Sequence, residues 1–288
     1  MNEPLQDSAS RTFEALQPSL VRLAYRMMAS VADAEDIVQT AFMRWNAIEH
    51  RDVRNPEAYL RRVVTRLCLD AMRTIRRRRE VYIGEWLPDP IIEEEPQEDV
   101  TISLMLALER LSPLERAAFL LHDVFGVSFE EIATSIDRSP TAVRQLASRA
   151  RSNVRNAHKR YEVEKTRGTE IAAAFYEASR SGNIEDLRSM LAEDVSLHAD
   201  GGGNRPTITR PVLGISEVLA VFQQFAEVFR KTGSTLLRVV TVSGLPGTIT
   251  READGEIQTT ALEIENDLIR AIYVIRNPEK LRHLSGHL

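Results

Sequence analysis

Apolar side chains recur at helical spacing from Leu20 to Ile48, first at Leu20, Leu23, Ala24, Met27 and Met28 and then at Ile37, Val38, Ala41, Phe42, Trp45 and Ile48. The gap between the two sets predicts two helices that meet near Ser30. Asn55-Pro56 is a helix start, an N-capping side chain followed by proline at the first helical position. The helix after it carries an apolar stripe at Leu60, Val63, Val64, Leu67, Ala71 and Ile75, while Arg62, Arg66, Arg73 and Arg77 recur on another face. Pro88, Pro90 and Pro96 then interrupt residues 80–100, so that stretch reads as a linker.

Helical patterning resumes with clear punctuation. Ser112-Pro113-Leu114-Glu115 and Ser128-Phe129-Glu130-Glu131 each place Glu three residues after a capping Ser, and Ser139-Pro140 opens another helix. A helix from Ser128 to Ile136, a tight turn at Asp137 and Arg138, and a basic helix from Pro140 have the layout of a helix-turn-helix. In the second helix Val143, Leu146, Ala147, Ala150, Val154 and Ala157 face inward, leaving Arg144, Ser148, Arg151 and Arg155 on an outward line. Thr141, Arg144, Gln145 and Ser148 are of the types that bond base edges, and Arg151, Arg155 and Lys159 suit phosphates.

After Arg160 the pattern changes class. Glu170 to Arg180, Ile184 to Leu191 and Ser216 to Lys231 read as helices, and Val195 to His198 as a short strand. Leu236 to Val242, Glu256 to Ile264 and Leu268 to Ile275 read as three strands of a meander. The expected organisation is multidomain, with two all-α domains (1–80 and 101–162), an intervening linker at 81–100, and an α+β domain at 163–288.

Composition changes this picture little: 288 residues, 27% charged and 43% hydrophobic, suit ordinary globular domains. With no long apolar run and no basic-then-apolar N-terminus, no membrane contact is expected and the cytoplasm is the expected location. The single cysteine, Cys68, leaves no internal disulfide or cysteine-based zinc site and reads as packing; no metal and no cofactor is expected. Charge distribution says more. Residues 1–79 carry net +4, 80–100 net −8, 101–162 net +2 and 163–288 net −3. Ten Arg crowd residues 51–79, and seven basic residues without an acid occupy 138–160. Two basic stretches divided by an acidic linker fit two contacts on one polyanion, although two solvated helix faces would look the same.

The run Asp33-Ala34-Glu35-Asp36-Ile37-Val38-Gln39-Thr40-Ala41-Phe42-Met43-Arg44-Trp45 resembles conserved region 2 of the extracytoplasmic-function (ECF) sigma factors, and the helix-turn-helix is similar to that family's region 4. The resemblance spans about residues 10–160 and implies a protein that binds core RNA polymerase and directs it to promoters. It implies that Asp33, Glu35, Asp36, Gln39 and Trp45 belong to the helix that docks on the β′ clamp helices, an acidic surface for a basic partner. Phe42 and Trp45 could equally be core residues. Arg61, Arg62, Arg66, Arg73 and Arg76, with Tyr59 nearby, fall in the part that opens and reads the −10 element. The loop Glu49 to Asn55 would hold an extruded base. Thr141, Arg144, Gln145, Ser148 and Arg151 would face the −35 element, and region 4 would dock on the β-flap.

Three further motifs, Trp86-Leu87-Pro88-Asp89-Pro90, Asp200-Gly201-Gly202-Gly203 and Asn277-Pro278-Glu279-Lys280-Leu281, are similar to signatures of the SigJ-type subgroup, whose members carry a fused SnoaL-like (NTF2-like) domain. The resemblance implies control in cis by that domain without a separate anti-sigma factor, through contact between the tryptophan motif and the glycine turn. Asp89 stands where the subgroup has Glu, and Asn204 where it has a basic residue, which argues against phosphate or DNA contact at the turn. Some SnoaL-like relatives are enzymes using Asp and His. His198 and Asp200, two apart on a strand, would share a face, so an enzyme, a sensor of an unidentified small ligand and a purely structural control surface all stay open. His283 and His287 are four apart near the C-terminus, where metal binding is the weaker reading.

Overall fold

The computed structural model describes residues 3–50, 53–80, 82–93, 101–155 and 163–287. Ala157, His158, Lys159 and Glu162, and the side chains of Ile75, Arg76, Arg77 and His287, lie outside what it describes. The chain divides into two compact units: Met1–Glu80 with Met105–His158, and Val81–Leu104 with Lys159–Leu288. This is not the division into four successive segments that the sequence suggested. The expected linker belongs to the C-terminal unit, because it adds a strand to that unit's sheet.

The first unit is helical. Its helices α1 (Glu3–Met28) and α2 (Val31–Asn46) meet where expected. Ala29 takes a positive φ of 57° that ends α1, and Ser30 caps α2 by accepting the Asp33 N–H. In α3 (Pro56–Glu80) the Asn55 side chain accepts the Ala58 N–H at 3.0 Å. Buried Leu23, Ala24 and Met27 of α1, Val38, Ala41 and Trp45 of α2, and Leu60, Val64 and Cys68 of α3 fill the interior. Burial pushes the Cys68 thiol pKa up, which fits a packed, unreactive thiol.

Next come α4 (Ile102–Glu109) and α5 (Pro113–Phe119), the latter running into a π-helical turn at Leu120–Val124, and then α6 (Phe129–Ile136) and α7 (Pro140–Val154). Ser112 and Glu115 form a complete capping box, and Ser128 and Ser139 cap α6 and α7. Asp137, at φ 55°, makes the tight turn of the helix-turn-helix. Arg116, 2% exposed, ties α5 to α1 by donating to Met27 O at 2.7 Å, and to α4 by donating to Leu108 O at 2.9 Å and to Glu109 at 2.6 Å. Burial lowers its pKa to about 10.

The second unit is α+β. Its helices are α8 (Lys165–Ser181), α9 (Ile184–Met190), α10 (Ile215–Thr232) and α11 (Pro278–Leu281). One sheet of seven strands runs β1 (Ile92–Glu93), β4 (Ser234–Val242), β5 (Leu245–Glu252), β6 (Ile257–Glu265), β7 (Leu268–Ile275), β2 (Leu191–Asp200) and β3 (Val212–Leu213) in spatial order, antiparallel except for β2 against β7. Strand β1 comes from the linker and pairs Ile92 with Val242 and Glu93 with Thr241. Strand β5 was not expected, since Pro246 and Gly247 disguise it. Gly247 is required there, because a Cβ would sit 2.1 Å from Thr260 O on the neighbouring strand.

Alternation along the strands gives the sheet two faces. Val195 and Leu197 of β2 and Leu262 and Ile264 of β6 form a core with Phe175 and Ala172 of α8 and Val218, Leu219 and Phe222 of α10. Ser196, His198 and Asp200 of β2, Glu263 of β6 and Tyr273 of β7 point the other way, His198 and Asp200 toward linker residues and Glu263 and Tyr273 toward Ser103 at the start of α4. No helix among the described residues is long and apolar enough to cross a membrane.

Candidate functional site

On α2, Glu35, Asp36 and Gln39 are exposed and Asp33 is half-buried at the helix start. Met43, 59% exposed, continues the line one turn beyond Gln39 and was missed in the sequence, where it read as one apolar residue among many. Trp45 corrects the expected docking set. It is 2% exposed and its Nε1 donates to Ala9 O at 3.0 Å. Its ring packs edge-on against His50 at 4.4 Å and lies 5.8 Å from Tyr59, so it braces the approach to α3 from inside.

The arginines of α3 are unequal. Arg61 is held by Glu57 and Arg73 pairs with Asp70 at 3.2 Å, while the Arg62 Nε is buried without a hydrogen-bond partner among the described residues. Arg66 donates to Ser135 O at 3.0 Å and Thr134 O at 3.3 Å, both in α6. The Arg76 side chain lies outside the described set. On α7, Thr141, Arg144, Gln145, Ser148 and Arg151 are all exposed. Arg144 pairs with Glu130 at 2.8 Å and Arg151 with Asp123 at 2.6 Å. Such surface pairs are worth little, so phosphate can replace the carboxylate.

The motifs at Trp86, Asp200 and Asn277 converge on one buried carboxylate. Asp200 is fully buried and accepts four hydrogen bonds: Tyr82 Oη at 2.5 Å and Gly202 N at 3.0 Å on Oδ1, and Leu87 N at 2.9 Å and Lys280 Nζ at 2.8 Å on Oδ2. Lys280 also donates to Leu87 O and lies 3.9 Å from the centre of the Trp86 ring. Asn277 donates to Tyr82 Oη at 2.8 Å, and its Oδ1 caps the helix that Pro278 begins. Gly202 has φ 66°, and a Cβ there would lie 2.6 Å from the Asn277 side chain. Gly203 would meet Ile83 and Gly201 the Arg205 carbonyl, while Leu87 and Pro88 are buried. Burial, and then Asp200, push the Tyr82 pKa up, which keeps its hydroxyl a donor.

Tyr82 and Lys280 were not singled out in the sequence as clasp residues. Their signal was a phenol ahead of the tryptophan motif and a lysine within Asn277 to Leu281. A second linker contact is Glu85 to His198 Nδ1 at 2.8 Å, with the imidazole stacked on Tyr273. His198 and Asp200 do share a strand face, and the linker occupies both. His283 contacts Pro90 O at 2.7 Å, and no cluster of three or more His, Cys, Asp or Glu suited to a metal occurs among the described residues.

Sigma-70 region 2 matches residues 12–79 and Sigma-70 region 4 matches residues 101–154. The ECF RNA polymerase sigma factor SigJ of Mycobacterium tuberculosis is 35% identical over 287 residues, covering 93% of this chain and 91% of its own. The chain belongs to the ECF sigma factors. The crystal structure of M. tuberculosis SigJ superposes with a TM-score of 0.74 at 32% identity, over 95% of this sigma factor and 98% of that chain. A SnoaL-like protein of unknown function from Burkholderia thailandensis matches 39% of this chain and 95% of its own, at 9% identity and a TM-score of 0.33. As a sigma factor the protein binds core RNA polymerase and promoter DNA to initiate transcription, with α1–α3 forming region 2, α4–α7 region 4, and an α+β domain following them in sequence.

Proposed function

We propose that this sigma factor is regulated by its C-terminal domain through the clasp around Asp200, without catalysis by that domain, and that it acts in the cytoplasm. The observation that carries the reading is the buried carboxylate that gathers Tyr82 and Leu87 of the linker with Gly202 and Lys280 of the domain. Asp33, Glu35, Asp36 and Gln39, extended by Met43, dock on the polymerase β′ clamp helices, and region 4 docks on the β-flap. Arg61, Arg62, Arg66, Arg73 and Arg76 serve the −10 element, and Thr141, Arg144, Gln145, Ser148 and Arg151 the −35 element.

Chain length supplies the mechanism. Promoter elements about 25 base pairs apart are roughly 85 Å apart along the helix axis. Residues Val81–Leu104 join region 2 to region 4, and 24 residues fully extended reach about 80 Å. With residues 82–93 held against the sheet half of that tether is taken up, and Arg66 of region 2 is bonded to α6 of region 4. Releasing the clasp raises the effective concentration of one DNA-binding region at the second promoter element once the other is bound. His198 and Asp200, the residues best suited to acid/base work, are committed to the linker, which favours a control surface over an enzyme.

The test is transcription by core polymerase from the DNA upstream of the protein's own gene, using the full-length protein and the variants Tyr82→Phe and Gly202→Val. Transcription should depend on added protein, and both variants should change its level while core binding stays constant. Equal output from all three proteins would overturn the clasp.

A further inference from the structure

On the helix-covered face of the C-terminal sheet, opposite the clasp, a cavity of about 360 Å³ opens between the strands and helices α8 and α10. Its size is that of small-molecule sites. Phe175, Phe222 and Phe225 form an aromatic wall, with Leu197 and Val274 from the sheet. The floor is polar. Thr248 and Gln258 line it at 4% and 5% exposure. Gln258 Nε2 donates to Thr260 Oγ1 at 3.3 Å, whereas the Gln258 carbonyl oxygen and the Thr248 hydroxyl make no hydrogen bond among the described residues. Both atoms open onto the cavity beside its aromatic wall, where a ligand's hydroxyl can pair with them.

The charges around the cavity define the ligand's class. Arg180 is bonded to Glu252 at 3.0 Å, and Glu252 also accepts from Thr250 and Ser234. Arg276 lies 3.7 Å from Asp254, which also pairs with Arg205 at 3.0 Å. Each charged group thus has its counter-charge within the protein, and an ionic ligand would enter without compensation. We propose that this cavity binds a neutral, ring-bearing apolar molecule whose hydroxyl donates to the Gln258 carbonyl and accepts from Thr248.

Occupancy acts on the clasp, a step that rests on the regulatory reading above. The wall at Pro206 and Thr207 belongs to the loop that leaves the glycine turn: Arg205 N donates to Gly201 O at 3.1 Å, and a Cβ on Gly201 would lie 2.8 Å from Thr207 Cγ2. Arg276, also lining the cavity, donates through its side chain to Pro206 O at 3.0 Å and through its backbone to Asp200 O at 2.8 Å. Asp200 ends the strand that carries Leu197 and Ala199 into the cavity, and Asn277 follows Arg276. One wall of the cavity is therefore continuous with the clasped turn, and a ligand that fits the clasped form of that wall stabilises it.

The test uses the full-length protein with 2-naphthol as a neutral probe and naphthalene-2-sulfonate as its anionic counterpart. Saturable one-site binding of 2-naphthol is expected, with much weaker binding of the sulfonate. Gln258→Leu should weaken the phenol about tenfold, the scale of one lost hydrogen bond, and Val221→Trp, which fills the cavity, should abolish binding. Thermal melting of both variants identifies any loss due to unfolding, and the wild-type comparison of the two probes needs no variant. At probe ten times its Kd, amides in residues 82–93 should exchange about tenfold more slowly. Absence of saturable binding, equal affinity for both probes, or indifference to both variants would overturn the site. Binding with unchanged exchange would overturn its coupling to the clasp. Slowed exchange with unaltered transcription would instead sink the regulatory reading and leave the site standing.

Discussion

Replacing Asp200 by Asn keeps the shape of the clasp and removes its charge. Each carboxylate oxygen now accepts two donors, Tyr82 Oη and Gly202 N on one and Leu87 N and Lys280 Nζ on the other. Whichever way the amide is turned, one pair of donors faces an NH2 group instead of an oxygen. The Lys280 ammonium, in a residue only 7% exposed, also loses its counter-charge. Breaking a buried pair from one side costs about 3–5 kcal/mol, a large part of the roughly 5–15 kcal/mol that holds a domain together. Hydrogen exchange of the full-length protein, followed by mass spectrometry over residues 82–93 and over β2, measures this directly. A loss of 3 kcal/mol is about a hundredfold faster opening. Adding Lys280→Met should recover more than half of the loss, because the stranded charge goes with it. Acceleration of less than about tenfold in Asp200→Asn, the equivalent of about 1.4 kcal/mol, would refute the reasoning.

Three other outcomes follow from the first unit. Trp45→Ala should destabilise it by about 3–5 kcal/mol in urea unfolding, whereas Asp36→Lys should leave stability unchanged and weaken core polymerase binding; the reverse pattern would return Trp45 to the docking face. Arg151→Ala should weaken promoter binding and lower the slope of log affinity against log salt by about 1, measured by fluorescence anisotropy across a salt series. The Ser112 hydroxyl, followed by its backbone N–H and Arg149, holds the Glu115 carboxyl below its ordinary pKa of 4.5. The stability it confers is therefore complete above that pH and lost as pH falls through the lower folded value, so the stability difference between wild type and Glu115→Gln should shrink in acid.

Local rules made much of the fold readable in the chain. The caps at Ser30, Asn55, Ser112, Ser128 and Ser139 work within one helical turn, and the stripe of α7 obeys the helical period, so the helix-turn-helix could be drawn before any tertiary contact was known. What escaped depends on partners far away in sequence. Pro246 and Gly247 look like a break, yet β5 forms because its neighbours β4 and β6 supply the pairing. Trp45 lies on the apolar stripe of the helix that carries the exposed acids, and its burial and its bond to Ala9 decide for the core reading. The acidic, proline-bearing stretch has a linker's composition, and its attachment rests on a strand of two residues and a tyrosine 118 positions from its partner. Gln258 and Thr248 carried no signal, since a polar residue on a strand reads as solvent-facing until a helix is laid over it.

The short strand β1 has a cost for the cell as well as a use. Ile92 and Glu93 cover the end of β4, with Ile91 and Ser243 exchanging two further hydrogen bonds, Ile91 N–H to Ser243 Oγ and Ser243 N–H to Ile91 O. Lifting the linker bares backbone donors and acceptors beside Val240 and Val242, a template for any extended chain nearby. If the linker is released as proposed, the bared edge offers a route to self-association. The proposed regulation therefore sets promoter choice against solubility.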